Sequence, residues 1–469
     1  MEKQGNLHIV MVPWLGFGHM IPYLELSKCL AQMGHRVSFL STPRNIDRLP
    51  SVPLDLRSQI NLVKLTPPPV DGLPEDAQST VDVPPDHLHY LLKLLDELED
   101  PLSAFLDGDP SPDWIIYDLF VYWAPRVAAR YGIPTVVFGS VSAMTFSMMG
   151  PPSVPMVPQP KKPEKSTGPP PWVPFPTIVV QRYYEAVQNA KTARTCASGS
   201  DLTVGHRVRT TLQGCHAVAI RSCPEFEPEW IRLLRELYDK PVFPIGLLSP
   251  SISEINGTQH DTWVDQDQEW LDTQKQGSTV YVAFGSEFQL SKEQMTELAF
   301  GLEISEFPFF WAYRGDPRLL PLGFEERTKG RGFVRLGWAP QVRLLAHVSI
   351  GCFLTHGGWS STIEGLALGK PLIMLSMFGD QGLNSRAMEE RRVGVVVERN
   401  EQDGSFTREA VTKCLKLVMG EDEGGPIRSN AREMMKIVAD KERHDQYIKE
   451  FADYLIQHRR RDVVPAHVR

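Results

Sequence analysis

Apolar positions along the chain fall into two alternating rhythms. Short apolar runs at Leu7 to Val12, Val37 to Leu40, Ile60 to Leu65, Trp114 to Tyr117 and Thr135 to Phe138 read as strands covered on both faces. Helical spacing lies between them. Leu26, Cys29, Leu30 and Met33 recur at i, i+3, i+4 and i+7, one face of a helix whose first turn suits Pro22 and which Gly34 ends. Strand–helix–strand alternation predicts right-handed βαβ units on a parallel sheet. A second series follows Gly246, with strands at Thr279 to Phe284, Ile350 to Thr355, Pro371 to Leu375 and Val393 to Val397. The pattern therefore predicts an α/β chain of two doubly wound halves. In such folds ligands sit outside the carboxyl ends of the strands, here in a cleft between the halves.

Two segments break the rhythm. Pro151 to Pro176 holds eleven prolines, which excludes a helix or a central strand and leaves a surface loop or part of a substrate mouth. Ser249 to Asp265 is polar and reads as a linker.

Composition narrows the function classes. The 469 residues suit two domains, and a net charge of -8 argues against a nucleic-acid partner. Six cysteines without CxxC spacing read as reduced packing residues. Leu7 to Phe17 contains Pro13 and lacks a cleavage site, and Thr135 to Met149 is too short for a bilayer. A cytoplasmic monomer with no membrane span is the expectation.

Candidate chemistry begins at the end of the first strand, in Pro13-Trp-Leu-Gly16-Phe17-Gly18-His19-Met-Ile-Pro22. A dinucleotide site needs a third glycine where Ile21 stands, and an acid where the second strand ends in Ser41-Thr42. What remains is a histidine where a helix begins, fit for a general base if a carboxylate orients it. Asp118, directly after a strand, is the candidate orienter; its other reading is a helix cap for the segment from Tyr122. The strongest signal lies at Trp338-Ala339-Pro-Gln341, Thr355-His356-Gly357-Gly358-Trp359-Ser360-Ser361 through Glu364-Gly365, and Phe378-Gly-Asp380-Gln381. A strand-to-helix turn at His356-Gly357-Gly358 turns backbone N–H groups toward an anion, and Ser360 and Ser361 add hydroxyl donors. Ser361 and Glu364 also fit a capping box.

The 44 residues from Trp338 to Gln381 closely resemble the nucleotide-sugar signature box of plant secondary-product glycosyltransferases, family 1. The likeness extends over nearly the whole chain, through Gly18-His19 to Pro22, Asp118, Phe284-Gly285-Ser286 and a helical segment near Lys441 to Leu455. It implies the GT-B fold, two facing Rossmann-like domains: 1–246 for the acceptor, a linker at 247–265, 266–440 for the UDP-sugar, and 441–469 crossing back to the first domain. By the same resemblance Trp338 stacks on uracil, Ala339 lies in the donor site, and Gln341 supports base and ribose. Glu364 takes the ribose hydroxyls, and His356, Ser361 and Ser286 bind the diphosphate beside Gly358 and Ser360. Trp359, Asp380 and Gln381 contact the sugar, His19 is the base, Asp118 its partner, and Gly16, Phe17 and Gly18 form the acceptor loop.

Trp359 with Gln381 resembles the glucose-using pattern. Two departures stand out: Gly357 where the family has Cys, expected to loosen the loop, and Ser360 where it has Asn, expected to lose a contact or rebuild it through water. Ser41 to Ile46, Gly72 to Pro74, Gly285-Ser286-Glu287 and Phe378 to Gln381 resemble the branch that extends sugars on flavonoid or terpenoid glycosides. The expectation is an inverting transferase using UDP-glucose, or UDP-rhamnose, on a small-molecule glycoside. An aglycone acceptor is the alternative.

Other classes fit less well. Asp107-Gly-Asp109 and Asp265-Gln-Asp267 match a metal-binding DxD pattern but sit in turn and linker chemistry, so no metal cofactor is expected. Gly358 to Thr362 breaks the G-x-S-x-G of a hydrolase at its last position. A non-catalytic nucleotide-sugar-binding protein would keep the box and have no use for His19 and Asp118.

Overall fold

The computed structural model describes residues 5–108, 112–153, 167–198, 202–250, 265–285, 287, 289–420 and 423–459. The chain divides into two compact units. One comprises Met1–Pro158, Thr192–Leu248 and Glu442–Arg469; the other comprises Gln159–Lys191 and Ser249–Lys441.

The first unit is built on a seven-stranded sheet: β1 His8–Val12, β2 Arg36–Ser41, β3 Ile60–Lys64, β4 Trp114–Tyr117, β5 Thr135–Gly139, β6 Ala217–Ile220 and β7 Val242–Pro244. The order is β3-β2-β1-β4-β5-β6-β7, every pairing parallel. β1 is buried along its whole length, which explains its unbroken apolar run. Helix Phe17–Gln32 covers one face with Tyr23, Leu24, Leu26 and Leu30. It starts earlier than the sequence suggests, so Pro22 falls inside it rather than in its first turn. Helix Lys441–Gln457 sets Ile448, Phe451 and Leu455 into the same core, and the Trp114 indole N–H donates to the Leu455 carbonyl at 2.9 Å.

The second unit repeats the plan with six strands: β8 Thr279–Ala283, β9 Phe309–Tyr313, β10 Gly332–Leu336, β11 Ile350–Thr355, β12 Leu372–Met374 and β13 Gly394–Val396. The order is β10-β9-β8-β11-β12-β13, again parallel throughout. Both units are therefore Rossmann-like, with the topological switch between β1 and β4 in one and between β8 and β11 in the other. Ligands of doubly wound sheets bind beyond the carboxyl ends at that switch. Among the described residues no helix is long and apolar enough to cross a membrane.

The 167–191 stretch, which contains the end of the proline-rich run, belongs to the second unit although its sequence position lies well before residue 246. Residues 154–166 and most of the 247–265 linker lie outside the described residues, as does Asp109 of the first DxD pattern.

Candidate active site

In the first unit β1 and β4 run in register, Val12 beside Tyr117, and the chain leaves both at the switch. After β1, Gly16 caps helix Phe17–Gln32 in an extended conformation, and its carbonyl accepts the His19 and Met20 amides at 3.0 and 2.9 Å. His19 thus stands in the first helical turn. After β4, the Asp118 amide donates to the Val12 carbonyl at 3.0 Å, and the Asp118 carbonyl accepts from Val121 at 3.0 Å. Both backbones are set by strand ends before any side chain is placed.

The side chains meet there. His19 Nδ1 lies 2.8 Å from Asp118 Oδ2; the carboxylate is 1% exposed and the imidazole 21%. A buried carboxylate needs a donor, and Nδ1–H supplies one. In that tautomer Nε2 is the basic nitrogen. The helix after Asp118 is Ala124–Arg130, with Trp123 at its N-cap and no side-chain cap, so the reading of Asp118 as a helix cap is set aside. The Phe120 ring lies 6.2 Å from the imidazole and 5.1 Å from Trp14, an aromatic wall beside His19. Gly18 is exposed, and a Cβ there would meet nothing within 4 Å. Gly16 is buried, and Phe17 packs against the core.

The second unit places its groups the same way. Thr355 of β11 lies beside Ala283 of β8. Beyond β8 come Phe284 and Gly285; Ser286 lies outside the described residues. Beyond β11 come His356, Gly357 and Gly358, then the nine-residue helix Trp359–Ala367. Its N-cap is Gly358, which has no side chain to occupy the first amides. Ser360 and Ser361 therefore sit in the first turn with those N–H groups, at the positive end of the helix dipole. The capping-box reading of Ser361 and Glu364 falls, because Ser361 is not the cap. Gln341 Nε2 instead donates to Ser361 Oγ at 3.1 Å and to Glu364 Oε2 at 2.6 Å.

His356 stands between two glycines. A Cβ on Gly285 would lie 2.9 Å from its Nε2, and one on Gly358 only 2.5 Å away. Loss of water around the ring pushes its pKa down to about 4, so the imidazole is neutral at physiological pH and acts as a hydrogen-bonding group. The sign of the linkage follows. The unfolded imidazole titrates near 6.5, so between about 6.5 and about 4 the unfolded chain binds the extra proton and the fold loses stability as pH falls. Denaturant midpoints measured across that window should decline for the natural chain and decline less steeply for His356→Gln.

Gly357 has φ +80, a conformation that favours glycine, and a Cβ there would lie 2.6 Å from Ser385 Oγ. Its carbonyl accepts from Asn384 Nδ2 at 3.1 Å, and the same amide reaches Asp380 Oδ2 at 3.2 Å. The glycine expected to loosen the loop is thus held by the helix that follows Asp380. Gln381 Oε1 accepts from the Met377 and Phe378 amides at 2.8 and 3.2 Å, which leaves the Nε2 end of this buried side chain to donate elsewhere. Trp359 is buried, and Ala339 is half-buried beside the exposed Trp338.

Trp338 exposes 52% of its surface, with the Arg314 guanidinium 4.7 Å from its ring centroid. Arg335 Nε donates to its carbonyl at 3.1 Å and pairs with buried Asp267. Asp267, half of the second DxD pattern, is therefore an ion-pair partner within this unit. Asn384, Arg314 and Arg335 went unnoticed in the sequence. Only Asn384, one helical turn after Asp380, carried a usable signal, its i, i+4 spacing.

Known proteins resemble this chain in sequence and in fold. A family model, UDP-glucoronosyl and UDP-glucosyl transferase, matches residues 223–442. UDP-glycosyltransferase 91C1 of Arabidopsis thaliana is 44% identical over 454 residues, 97% of each chain. Soyasaponin III rhamnosyltransferase of Glycine max is 40% identical over 97% of this chain and 96% of its own. Arabidopsis thaliana UGT89C1 complexed with UDP-L-rhamnose superposes with a TM-score of 0.75 at 26% identity, covering 96% of this chain and all of that one.

Proposed function

The chain belongs to the plant family 1 UDP-glycosyltransferases, enzymes of GT-B fold that depend on a UDP-sugar, and on that premise we propose that it moves glucose from UDP-glucose, with inversion, to a sugar hydroxyl of a terpenoid or flavonoid glycoside. The observation that carries the reading is the 2.8 Å His19–Asp118 pair at a sheet switch. A protein that only held a nucleotide sugar would have no use for an imidazole oriented by a buried carboxylate.

His19 Nε2 takes the proton of the acceptor hydroxyl as the oxygen attacks the anomeric carbon. The bond from that carbon to the UDP oxygen breaks, and UDP leaves with the electron pair. The imidazolium formed is stabilised by Asp118. Charge growing on the diphosphate is met by the first-turn amides at Trp359, Ser360 and Ser361 and by neutral His356 as donor. Trp338 stacks on uracil; Gln341 and Glu364, already hydrogen-bonded to each other, take the ribose edge. Asp380 and the Gln381 amide face the hexose. No metal enters this scheme. Buried thiols at Cys215, Cys223, Cys352 and Cys414 suit a reducing, cytoplasmic setting, where the enzyme would act as a monomer.

Rhamnose is the second reading for the donor. It is favoured by the 40% identical relative named a rhamnosyltransferase and by the solved neighbour holding UDP-L-rhamnose. Mass spectrometry separates the readings, with UDP-glucose and UDP-rhamnose each offered against paired aglycones and their monoglucosides. A hexose gain on the glucosides alone is the expected result. A deoxyhexose gain would make rhamnose the donor, and gain on aglycones would discard the sugar-extending assignment. Tight UDP binding without any transfer would leave a binding protein.

A further inference from the structure

Helix Tyr183–Ser198 begins in the second unit, where one of its faces grips the segment that carries Asp380 and Gln381. Glu185 and Asn189 are four residues apart and share that face. The Glu185 carboxylate accepts from Arg386 Nη1 and Nη2 at 3.1 and 2.5 Å, and from the Ser376 hydroxyl at 3.5 Å. Arg386 is 3% exposed, so this pair is the neutralisation of a buried guanidinium. Gly382 makes room for it: a Cβ there would lie 2.1 Å from Glu185 Oε1. The Asn189 amide pairs with both backbone groups of Gly379, Nδ2 to the carbonyl at 3.3 Å and the Gly379 amide to Oδ1 at 3.2 Å.

The gripped residues, Ser376, Gly379, Gly382 and Arg386, bracket Asp380 and Gln381 on both sides. Gly379 has φ +67 and presents no side chain, so the two-point hydrogen bond to its peptide groups adds to the Gln381 side chain's hold on Met377 and Phe378 in fixing the turn that leads into Asp380. The helix doing this lies outside the 338–381 box and outside the 223–442 stretch that the family model matches.

We propose that Glu185 and Asn189 are positioning residues for the donor sugar. They hold the turn from Ser376 to Gln381 so that Asp380 and Gln381 meet the hexose, and they set how much the sugar adds to UDP binding. The inference rests on the assignment of Asp380 and Gln381 to the sugar.

Calorimetry on the full chain, without acceptor, tests it through the ratio of the UDP-glucose Kd to the UDP Kd. Asn189→Ala removes two neutral hydrogen bonds and should raise that ratio about three- to tenfold, with the UDP Kd and the thermal midpoint close to the parent values. Glu185→Gln should shift the ratio in the same direction. Should that variant fail to fold, half-buried Asn189 still carries the test. Asp380→Ala is the control for the sugar site. A ratio shifted in Asp380→Ala and unchanged in Asn189→Ala would overturn the positioning role alone. A ratio unchanged in Asp380→Ala would overturn the sugar assignment, and the positioning role with it.

Discussion

Replacement of His19 by alanine is expected to lower kcat by about 10²- to 10⁴-fold, the range a positioned general base contributes. UDP affinity should stay within about twofold, because the groups assigned to UDP belong to the other unit. The loss should depend on the acceptor. A sugar hydroxyl holds its proton tightly and needs the base throughout; an activated phenol ionises readily and should lose far less. His19→Gln can still donate to Asp118, so it should recover folding stability without recovering activity. Stopped or quenched assays with the two acceptor classes, beside UDP titrations, measure each part. Near-normal turnover of His19→Ala on a sugar hydroxyl would remove the base assignment.

Asp118→Asn should cost kcat on the order of 10³-fold, through the tautomer rather than through lost space. The carboxylate only accepts, so it fixes the proton on Nδ1 and leaves Nε2 basic. An amide can present its N–H to Nδ1 instead, which favours the tautomer with the proton on Nε2 and no lone pair toward the acceptor. It also cannot stabilise the imidazolium by charge. Asp118 is buried at 1% exposure, and its backbone bonds to Val12 and Val121 do not involve the side chain, so the turn itself should persist in the asparagine variant. A fall in thermal midpoint with kcat retained would reduce Asp118 to a structural role.

Much of this molecule could be read from its residues because its determinants are local. Most of the buried strands announced themselves as unbroken apolar runs, and β2 and β11 fall within a residue of where the pattern put them. β6, β7, β9 and β10 were missed for physical reasons, the first two because Ala217–Ile220 and Val242–Pro244 are only four and three residues long. Phe309–Tyr313 is an aromatic run with no flanking alternation, and Gly332–Leu336 is a half-buried edge strand carrying Arg335. Helix starts were the least legible feature. Gly358 caps its helix with no side chain, so Ser361 looked like the cap, and Gly16 misled in the same way about Pro22. The positions of the candidate residues His19, Asp118 and His356 at strand ends were legible because a switch point falls at a predictable place in a doubly wound sheet. Their supports were not: Asn384, Arg335, Glu185 and Asn189 act across distances in sequence that only the folded chain closes.

Proton removal by His19 with a single displacement at the anomeric carbon has one stereochemical consequence, and the product reports it. The measurement is the anomeric proton coupling, by NMR, of glucoside formed from α-linked UDP-glucose. A β-linked product, with its large axial–axial coupling, is the expected result. An α-linked product would contradict the single displacement and with it the role given to His19.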